Sequence, residues 1–474
     1  MRRRTKIVAT LGPASETPDT VRQLIIAGVD VARINLSHGP LDQHLGRLAT
    51  VRRVADEVGK PVAVLADLPG PKIRAGSFPP QGTILATDDL VRLVPGTGDS
   101  DHEEINVDYP ALLTDVGTGE RVIIGDGAVV LEVLDVDDHA VTAVVRNGAR
   151  MQGSPGVHLV CEALISPTPE DCVLADAVAN AGVDFIAVSL VRHADDVSKI
   201  RDVVGARARL VAKVETRAAV ENLADIAKAA DAVMVARGDL GIDCPLEDVP
   251  HMQKRIIRHC VEHGVPVITA TQMLETMVNA SSPTRAEVSD IANAVFDGTD
   301  ALMLSAETAI GHDPVLVVRT MASIAARAEA EASYHSWGER LASVERLAHL
   351  DVPGRTAAAM THAAWQAARD IDAAAILCCT RSGRTAIAMA RFRPEAKLVG
   401  LSPDPATVRA LQLSWGVTPM RVDTYSSTDE MVWFATERAT GSVVMAGDLV
   451  VVLAGAPGGP GDWSTDVLRI VKVL

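Results

Sequence analysis

Short apolar runs that alternate with helical patterns are the feature that most constrains the fold of this chain. Helical patterns separate the runs at residues 16–28, 194–204, 217–229, 247–264 and 313–330. The runs, eight in number, are KIVAT, VARINL, VAVLADL, FIAVSLV, LVAKVE, AVMVARG, VITATQM and ALMLSAET. Strands this apolar are buried on both faces, which is typical of a parallel sheet covered by helices. Eight strand–helix units predict an α/β fold, a (β/α)8 TIM barrel.

A segment of different character interrupts the barrel pattern after its third unit. It shows hairpin-like alternation, as in ERVIIGDGAVVLEVLDVDDHAVTAVV, with frequent Gly, Pro and Asp. We interpret it as an inserted, β-barrel-like lid domain. Its two flanks, LPGPKIRAG and QGSPGVHLV, contain Gly and Pro that permit hinge motion but that also form ordinary turns. These residues therefore fit a movable lid and a passive insertion equally well.

A separate αβ pattern begins near residue 351, with predicted strands AAILCC, LVGLS, MRVD and LVVVLAG. At 474 residues the chain is long enough for two to four domains. We predict three: a catalytic barrel of residues 1–69 and 164–345, the inserted β lid domain of residues 70–163, and a C-terminal α/β domain of residues 346–474.

Composition and charge exclude several classes of protein. The net charge of −16 argues against a nucleic-acid partner, because phosphate backbones are bound by basic surfaces. The start, MRRRTKIVATLG, lacks the unbroken apolar core of a signal peptide, and the chain has no long uncharged run that would span a membrane. The six cysteines show no metal or disulfide spacing and are predicted to be buried, reduced thiols. We expect a cytoplasmic protein without a nucleic-acid or membrane partner.

Polar residues follow the predicted strands, and the C-terminal strand ends are where (β/α)8 barrels build their active sites. They are Arg33, Asn35, Ser37, His38, Asp67, Ser189, Lys213, Glu215, Arg237, Asp239, Thr271, Ser305 and Glu307. Glu215 and Asp239 lie on adjacent strand ends and suit Mg²⁺, which takes one or two carboxylates and completes its shell with water and substrate oxygens. A charged pair that caps two strands would look the same. Lys213, two residues before Glu215, faces the same rim and favours a metal site for an anionic substrate.

Phosphate-binding motifs of the common kinds are absent. Neither GxxxxGK[ST] nor a GxGxxG after a strand occurs, which excludes a P-loop and a dinucleotide fingerprint. Gly238, in VARGDLGI, would let backbone N–H groups approach an anion, although a tight turn explains one glycine equally well. Phosphate must therefore be held by Arg, Lys and a metal ion.

Eight segments resemble the pyruvate kinase family in its own order: KIVATLGPAS, VARINLSHG, ADLPGPKIR, VAKVE, MVARGDLGI, ITATQMLETM, PTRAEVSDIANAVFDGTD and LSAETA. The resemblance extends over the whole chain. It implies a barrel with an inserted lid and a C-terminal effector domain, assembled as a homotetramer. The implied activity is Mg²⁺-dependent phosphoryl transfer from phosphoenolpyruvate to ADP, the last step of glycolysis, which gives pyruvate and ATP. Mn²⁺ is an alternative to Mg²⁺.

The resemblance also implies roles for individual residues. The catalytic residues are Lys213, the transition-state cation, Arg33, which contacts the moving phosphoryl group, and Thr271, on the proton route to the enolate. The Mg²⁺ ligands are Glu215 and Asp239, and the substrate is bound by Arg33, Gly238, Asp239, Thr271 and Ser189. The nucleotide-binding residues are Asn35, His38, Arg74 and Pro13. The monovalent-cation cage, or its remnant, comprises Asn35, Ser37, Asp67, Leu68 and Lys72.

The segment TRSGRTA lies between a predicted strand and a helix that we expect to begin near Ala386, and such a turn can hold an anion. Alone it would be interpreted as an ordinary helix N-cap. The resemblance implies an effector site for a phosphorylated metabolite, a sugar phosphate or a nucleotide. Its residues are Thr380, Arg381, Ser382, Gly383, Arg384 and Thr385.

Three departures from the family pattern matter. At the lid exit, His158 and Val160 replace the usual Asn and Pro, and Pro155 occupies a stretch that is usually basic, which puts a cationic lid contact to the nucleotide in question. Leu190 stands where an aromatic residue is usual. Leu68 with Lys72 resembles the K⁺-independent branch, so K⁺ is not expected to be required: the Lys72 ammonium would replace the ion.

Two alternatives stay open on the sequence. A Mg²⁺-dependent pyruvate-enolate aldolase would share the Arg, Glu, Asp and Gly rim but would need neither the lid nor the third domain. A catalytically impaired relative could act as a metabolite-binding regulator. The intact Lys213, Arg33 and Thr271 argue against the second alternative, and the three-domain match argues against the first.

Overall fold

The first part of the chain builds three barrel strands. The structure, a computed structural model, describes residues 3–71, 73–125, 127–159, 166–332, 334–343, 352–455 and 465–474. The first elements are β1 (Lys6–Leu11), α1 (Pro18–Ala27), β2 (Val31–Asn35), α2 (Leu41–Val58) and β3 (Ala63–Asp67). Helix α1 begins at Pro18 because the Thr17 side chain accepts the N–H of Thr20 and proline fits the first turn. Helix α2 ends at Gly59, whose φ of 70° is easily adopted by glycine.

The insertion forms two sheets around its own hydrophobic core. Its elements are β4 (Phe78–Leu85), β5 (Leu90–Pro95), β6 (Glu104–Val107), α3 (Leu112–Asp115), β7 (Arg121–Ile124), β8 (Val129–Val136), β9 (Val141–Asn147), β10 (Ala149–Gly153) and β11 (Val157–Leu159). The larger sheet has six strands in the order β11-β7-β8-β9-β5-β6, and β10 pairs with β4 in a second sheet. Phe78, Leu93, Leu131 and Val141 are among the buried core residues.

The chain then returns to complete the barrel. Its elements are α4 (Pro169–Asn180), β12 (Phe185–Val188), α5 (Ala194–Val204), β13 (Arg209–Val214), α6 (Arg217–Glu221), α7 (Leu223–Ala229), β14 (Ala232–Ala236), α8 (Arg237–Asp243), α9 (Val249–His263), β15 (Val267–Ala270), α10 (Arg285–Asp297), β16 (Ala301–Leu304), α11 (Ala306–Ala309) and α12 (Pro314–Glu331). The strands close in the order β1-β16-β15-β14-β13-β12-β3-β2, with every pairing parallel. The predicted fold class is confirmed, and each predicted barrel strand is present.

The C-terminal part is a five-stranded sheet with helices on both faces. Helix α13 (Tyr334–Ser343) packs Trp337 and Leu341 against the barrel core. The elements that follow are α14 (Val352–Asp370), β17 (Ala375–Cys379), α15 (Arg384–Ala390), β18 (Lys397–Ser402), α16 (Pro405–Ala410), β19 (Val417–Arg421), α17 (Thr428–Ala439), β20 (Leu449–Ala454) and β21 (Val467–Lys472). The strand order is β19-β18-β17-β20-β21, and β21 is antiparallel to β20.

The structure of this part differs from the sequence analysis in three details. The third strand was predicted at residues 420–423, but β19 begins at Val417, because Pro419 weakens the strand signal and is tolerated on an edge strand. Strand β21 was not predicted, since as a half-exposed edge strand it lacks the apolar run of a buried strand. Helix α15 begins at Arg384, two residues before the predicted start at Ala386.

The C-terminal part contacts the N-terminal end of the barrel. Ala410 and Leu413 belong to the cluster of buried residues inside the barrel, together with Val8, Leu65 and Met234. This arrangement leaves the other end of the barrel, where the strands finish, for the insertion. Within the described ranges, every helix is too short or too polar to cross a bilayer.

Candidate active site

Lys213 is the centre of a charged cluster at the C-terminal strand ends. Its Nζ lies 2.9 Å from Glu215 Oε1 and 3.3 Å from Asp67 Oδ1, and it donates to Ser189 Oγ at 2.8 Å. Because strand side chains repeat with period two, Lys213 at the end of β13 and Glu215 just after it face the same side. Ser189 in turn donates to the carbonyl oxygen of Leu68, which is buried, at 2.7 Å. The closed barrel thus brings together residues from three predicted strand ends.

Arg33 joins the same cluster from β2. Its Nε donates to Asp67 Oδ2 at 2.7 Å, and its Nη1 donates to Thr10 Oγ1 at 2.9 Å. Sequence reasoning did not single out Thr10, since it lies within an apolar run; a hydroxyl in the last half of a barrel strand was the available signal. Arg33 is therefore fixed in position by two side chains.

Asp67 is 1% exposed and lies between two cations. Burial alone would raise the pKa of Asp67, but the charges of Lys213 and Arg33 outweigh it and lower the pKa. Burial also opposes the charged form of Lys213, yet the carboxylates of Asp67, Glu215 and Asp239 together raise the pKa of that ammonium. Both groups are therefore charged at neutral pH, so the cluster presents fixed cations to an anionic substrate.

Glu215 is a buried carboxylate whose charge is only partly compensated. It is 3% exposed, and its Oε2 accepts the N–H of Leu190 at 2.5 Å. Burial raises the pKa of Glu215; Lys213 counteracts this, while the nearby Asp239 raises the pKa further. A buried carboxylate beside a second carboxylate needs additional positive charge.

This electrostatic demand fits a divalent cation held by Glu215 and Asp239. In the part of the chain that the structure describes, no group of three or more His, Cys, Asp or Glu could hold a metal ion. Glu215 and Asp239 would supply two carboxylates and leave the other positions to substrate and water, as Mg²⁺ sites typically do. Mn²⁺ accepts the same oxygen ligands.

Thr271 lies just after β15 in an unusual backbone conformation, with φ at 68°. Its Oγ1 accepts the N–H of Gly238 at 2.9 Å and donates to the carbonyl oxygen of Ala270 at 2.6 Å. The N–H of Gly238, which was predicted to approach an anion, therefore donates to the Thr271 hydroxyl. A Cβ on Gly238 would lie 3.6 Å from that oxygen, an ordinary contact, so space alone does not demand glycine.

The insertion contacts this end of the barrel through His158 on β11. Its Nε2 lies 3.6 Å from Asp239 Oδ1. The sequence marked His158 only as a departure from the family pattern, and nothing in its spacing connected it to Asp239. Arg74 is exposed and donates to the carbonyl oxygen of Ser154 at 3.0 Å, within the insertion.

The remaining predicted residues are placed less centrally. Asn35 Oδ1 accepts the N–H of Ser37 at 3.1 Å, next to Arg33 on β2. His38 and Pro13 are exposed in the loops after β2 and β1. Lys72 and Val160 lie outside the described residues.

The predicted effector loop, residues 380–385, is held by hydrogen bonds within the loop and to neighbouring segments. Gly383 donates to Thr380 Oγ1 at 2.9 Å, and the carbonyl oxygen of Arg381 accepts the hydroxyl of Thr407 at 2.9 Å. The carbonyl oxygen of Ser382 accepts Nη2 of Arg209, a barrel residue, at 2.7 Å. Thr385 bonds the Thr465 hydroxyl at 2.8 Å, and Arg384, which is exposed, begins the seven-residue helix α15.

Comparison with known proteins agrees with this architecture. The family model for the pyruvate kinase barrel domain matches residues 2–318, and the model for the pyruvate kinase alpha/beta domain matches residues 358–471. A pyruvate kinase of Geobacillus stearothermophilus is 39% identical over 481 residues, which cover 99% of this chain and 80% of the relative. A pyruvate kinase of Mycobacterium tuberculosis is 40% identical over 483 residues, which cover 100% of this chain and 99% of the relative. A pyruvate kinase of Methylorubrum extorquens is 39% identical over 476 residues, with 99% and 98% covered. The chain therefore belongs to the pyruvate kinase family.

Proposed function

We propose that the cluster around Lys213 performs the chemistry of this phosphotransferase, which moves the phosphoryl group of phosphoenolpyruvate to ADP and so gives pyruvate and ATP. The observation that supports this assignment is a chain of ion pairs at the strand ends, in which Arg33 contacts Asp67, Asp67 contacts Lys213, and Lys213 contacts Glu215. Such a fixed set of charges is suited to phosphoryl transfer, in which positioning and electrostatics do most of the work.

In the first step, Lys213 and Arg33 stabilise the negative charge that spreads over the oxygens of the moving phosphoryl group. Both cations are already held by carboxylates and hydroxyls, so little reorganisation is needed as charge develops. Glu215 and Asp239 would hold Mg²⁺, or Mn²⁺ in its place, and the bound ion would add positive charge at the phosphoryl oxygens. Closure of the insertion over this end would exclude water.

In the second step, the enolate of pyruvate takes a proton at its methylene carbon. Thr271 is the proposed proton route, acting through water, because its hydroxyl is held at the strand end beside Gly238. Gly238, Asp239 and Ser189 would contact the substrate, while Asn35, His38, Arg74 and Pro13 would lie toward the nucleotide.

We also propose that the enzyme does not require K⁺. Asn35, Ser37 and Asp67 of the cation cage are present, and the combination of Leu68 with Lys72 is the reason to expect independence. In this proposal the charge of the Lys72 ammonium offsets Asp67, a task that K⁺ performs elsewhere in the family. Assays in a tetramethylammonium buffer test this: a many-fold rise in kcat on adding KCl, beyond an ionic-strength control, would contradict it.

The regulatory and assembly proposals rest on the family resemblance. A phosphorylated metabolite would bind at residues 380–385 and lower the apparent KM for phosphoenolpyruvate, and by linkage phosphoenolpyruvate would tighten effector binding. Replacing Ser382 and Thr385 with Ala should abolish that response and keep basal activity.

A homotetramer in the cytoplasm is the proposed working form, and sedimentation velocity measures its size.

A steady-state assay with phosphoenolpyruvate, ADP and Mg²⁺ tests the proposed function directly, with pyruvate detected by a coupled dehydrogenase. Running it with and without sugar phosphates and AMP tests regulation in the same experiment. Absence of pyruvate formation by a folded protein would contradict the proposal.

A further inference from the structure

We infer that Arg237 is a positioning residue for enolate protonation, because its guanidinium holds the strained turn that presents the Thr271 hydroxyl. This inference rests on the proton role proposed for Thr271. Arg237 was noted in the sequence only as a polar residue after a strand, without a function.

The turn after β15 is in a conformation that its residues disfavour. Thr271 has φ at 68° and Gln272 has φ at 54°, so two successive non-glycine residues are left-handed. For a β-branched residue such as threonine this conformation is a genuine outlier. Such strain persists only where the surrounding structure compensates for it, and it is common at functional sites.

Arg237 compensates for the strain by bonding three successive carbonyl oxygens of that turn. Its Nε donates to the carbonyl of Ala270 at 3.2 Å, and its Nη2 donates to the carbonyls of Thr271 and, at 3.3 Å, of Gln272. Only a guanidinium offers enough donors in a rigid plane to satisfy three carbonyls at once. These bonds fix the backbone of Thr271, and hence the direction of its side chain.

The guanidinium is itself held from the opposite side. Its Nη1 lies 2.6 Å from Asp290 Oδ2 on α10 and 3.4 Å from Gln253 Oε1 on α9. Arg237 is 8% exposed, so these partners replace water around the charge. The next residue in the chain, Gly238, donates its N–H to Thr271 Oγ1. Two successive residues of α8 therefore hold both the backbone and the hydroxyl of Thr271.

A second contact fixes the far end of the turn independently. The N–H of Leu274 donates to Glu307 Oε1 at 3.1 Å, and the N–H of Ser305 donates to Glu307 Oε2 at 2.6 Å. Glu307 is buried and touches neither Thr271 nor Arg237 in any of these bonds. The specific role of Arg237 is thus to hold the backbone of residues 270–272.

The test separates proton transfer from phosphoryl transfer. Exchange of the pyruvate methyl protons with D₂O, followed by ¹H NMR with the full chain, Mg²⁺ and ATP, reports enolate protonation in reverse. Arg237→Lys keeps the positive charge, but the three donors of an ammonium cannot serve Asp290 and three carbonyls at once. We expect it to slow exchange about tenfold or more, because a small misplacement of a reacting group is costly. The KM for phosphoenolpyruvate should change by less than about twofold, since substrate contacts are intact.

A double-mutant cycle shows whether Arg237 acts through Thr271. Thr271→Ala should slow exchange, and adding Arg237→Lys should slow it no further, because two residues that serve one function are non-additive. Asp290→Asn removes one anchor and leaves the carbonyl bonds, so it should slow exchange less; it serves as the test variant if Arg237→Lys does not fold.

Additive effects in the cycle would overturn the inference. Normal exchange in folded Arg237→Lys and folded Asp290→Asn would overturn it as well. Normal exchange in Thr271→Ala would instead overturn the proposed role of Thr271, and the inference with it. Loss of phosphoenolpyruvate binding in Arg237→Lys, with exchange unchanged, would show that Arg237 serves the substrate and not the proton.

Discussion

The two ends of the barrel contain the same kinds of charged side chain in different arrangements. At the N-terminal end an aspartate precedes each of four strands, and each carboxylate accepts a backbone N–H from the neighbouring strand. The acceptor and donor residues are Asp30 and Ile7, Asp184 and Val64, Asp231 and Leu210, and Asp300 and Val267. Every one of these aspartates also pairs with arginine: respectively Arg3, Arg52 with Arg409, Arg201, and Arg393.

At the C-terminal end the carboxylates instead compete for cations. Asp67 and Glu215 both lie against Lys213, and the pKa of Glu215 is raised by burial and by Asp239. Removing one partner of a fully paired, buried carboxylate costs stability, whereas incompletely compensated carboxylates are typical of functional sites. The two ends therefore differ in how completely their carboxylates are paired, and not in residue type, and the C-terminal end is where barrels of this kind build their active sites.

The largest difference between the two ends should appear in kcat when Lys213 is replaced in Lys213→Met. We expect kcat to fall about a thousandfold, because a preorganised charge at the moving phosphoryl group is lost. The melting temperature should change little, since Asp67 keeps its bond to Arg33 and Glu215, whose pKa burial and Asp239 already raise, can become neutral by taking up a proton. Lys60→Met, which removes a lysine beside Asp30 at the other end, is the matched control and should keep its kcat. Wild-type kcat in Lys213→Met would contradict the assignment.

Asp300→Asn should show the opposite behaviour. Asp300 bonds Arg393 Nη1 at 2.9 Å and the N–H of Trp415 at 3.1 Å, and Arg393 is 1% exposed. Removing one partner of such a buried pair should cost about 3 kcal/mol of unfolding free energy. Chemical denaturation measures that loss, and kcat per folded molecule should be unchanged. A stable variant with reduced kcat would mean that this end takes part in the reaction.

Asp239→Asn tests the proposed metal site at the C-terminal end of the barrel. We expect the Mg²⁺ concentration for half-maximal activity to rise about tenfold, because one of two charged ligands becomes neutral. Isothermal titration with Mn²⁺, in the absence of substrate, gives a second measure of the same loss. Unchanged titration curves for both ions would remove Asp239 from the metal site.

The smallest expected effect is a pH dependence of stability that arises at the N-terminal end. Burial alone would raise the pKa of Asp30, but Arg3, Lys60, Lys6 and the N–H of Ile7 outweigh it and hold the pKa below its usual value. Because the folded pKa is depressed, the stabilisation is present above the unfolded pKa of about 3.9 and is lost as pH falls below it. Asp30→Asn should lower stability at neutral pH and flatten the loss between about pH 4 and pH 2. If the unfolding free energies of the wild type and of Asp30→Asn fall in parallel with pH, Asp30 does not cause the pH dependence.

The sequence predicted the barrel well because strands buried on both faces leave continuous apolar runs. It also pointed to Lys213, Glu215 and Arg33, since residues at strand ends must converge in a closed barrel. It gave no sign of the contact between His158 and Asp239, or of Arg237 with Asp290, because His158 lies in the insertion and Asp290 within a helix, where no strand end marks the contact. The roles of the site residues and the domain boundaries stay predictions, and the contribution of Lys72 depends on a residue outside the described part of the chain.

A matched pair of isosteric variants, Glu215→Gln and Asp184→Asn, tests the central claim most directly. Both carboxylates are buried, at 3% and 1% exposure, and both accept one backbone N–H. With kcat and unfolding free energy measured in one buffer, Glu215→Gln should lose about a hundredfold or more in kcat and keep its stability. Asp184→Asn should lose stability and keep its kcat. Equal losses of both quantities in the two variants, or the reverse pattern, would contradict the division of the barrel into a supporting end and a reacting end.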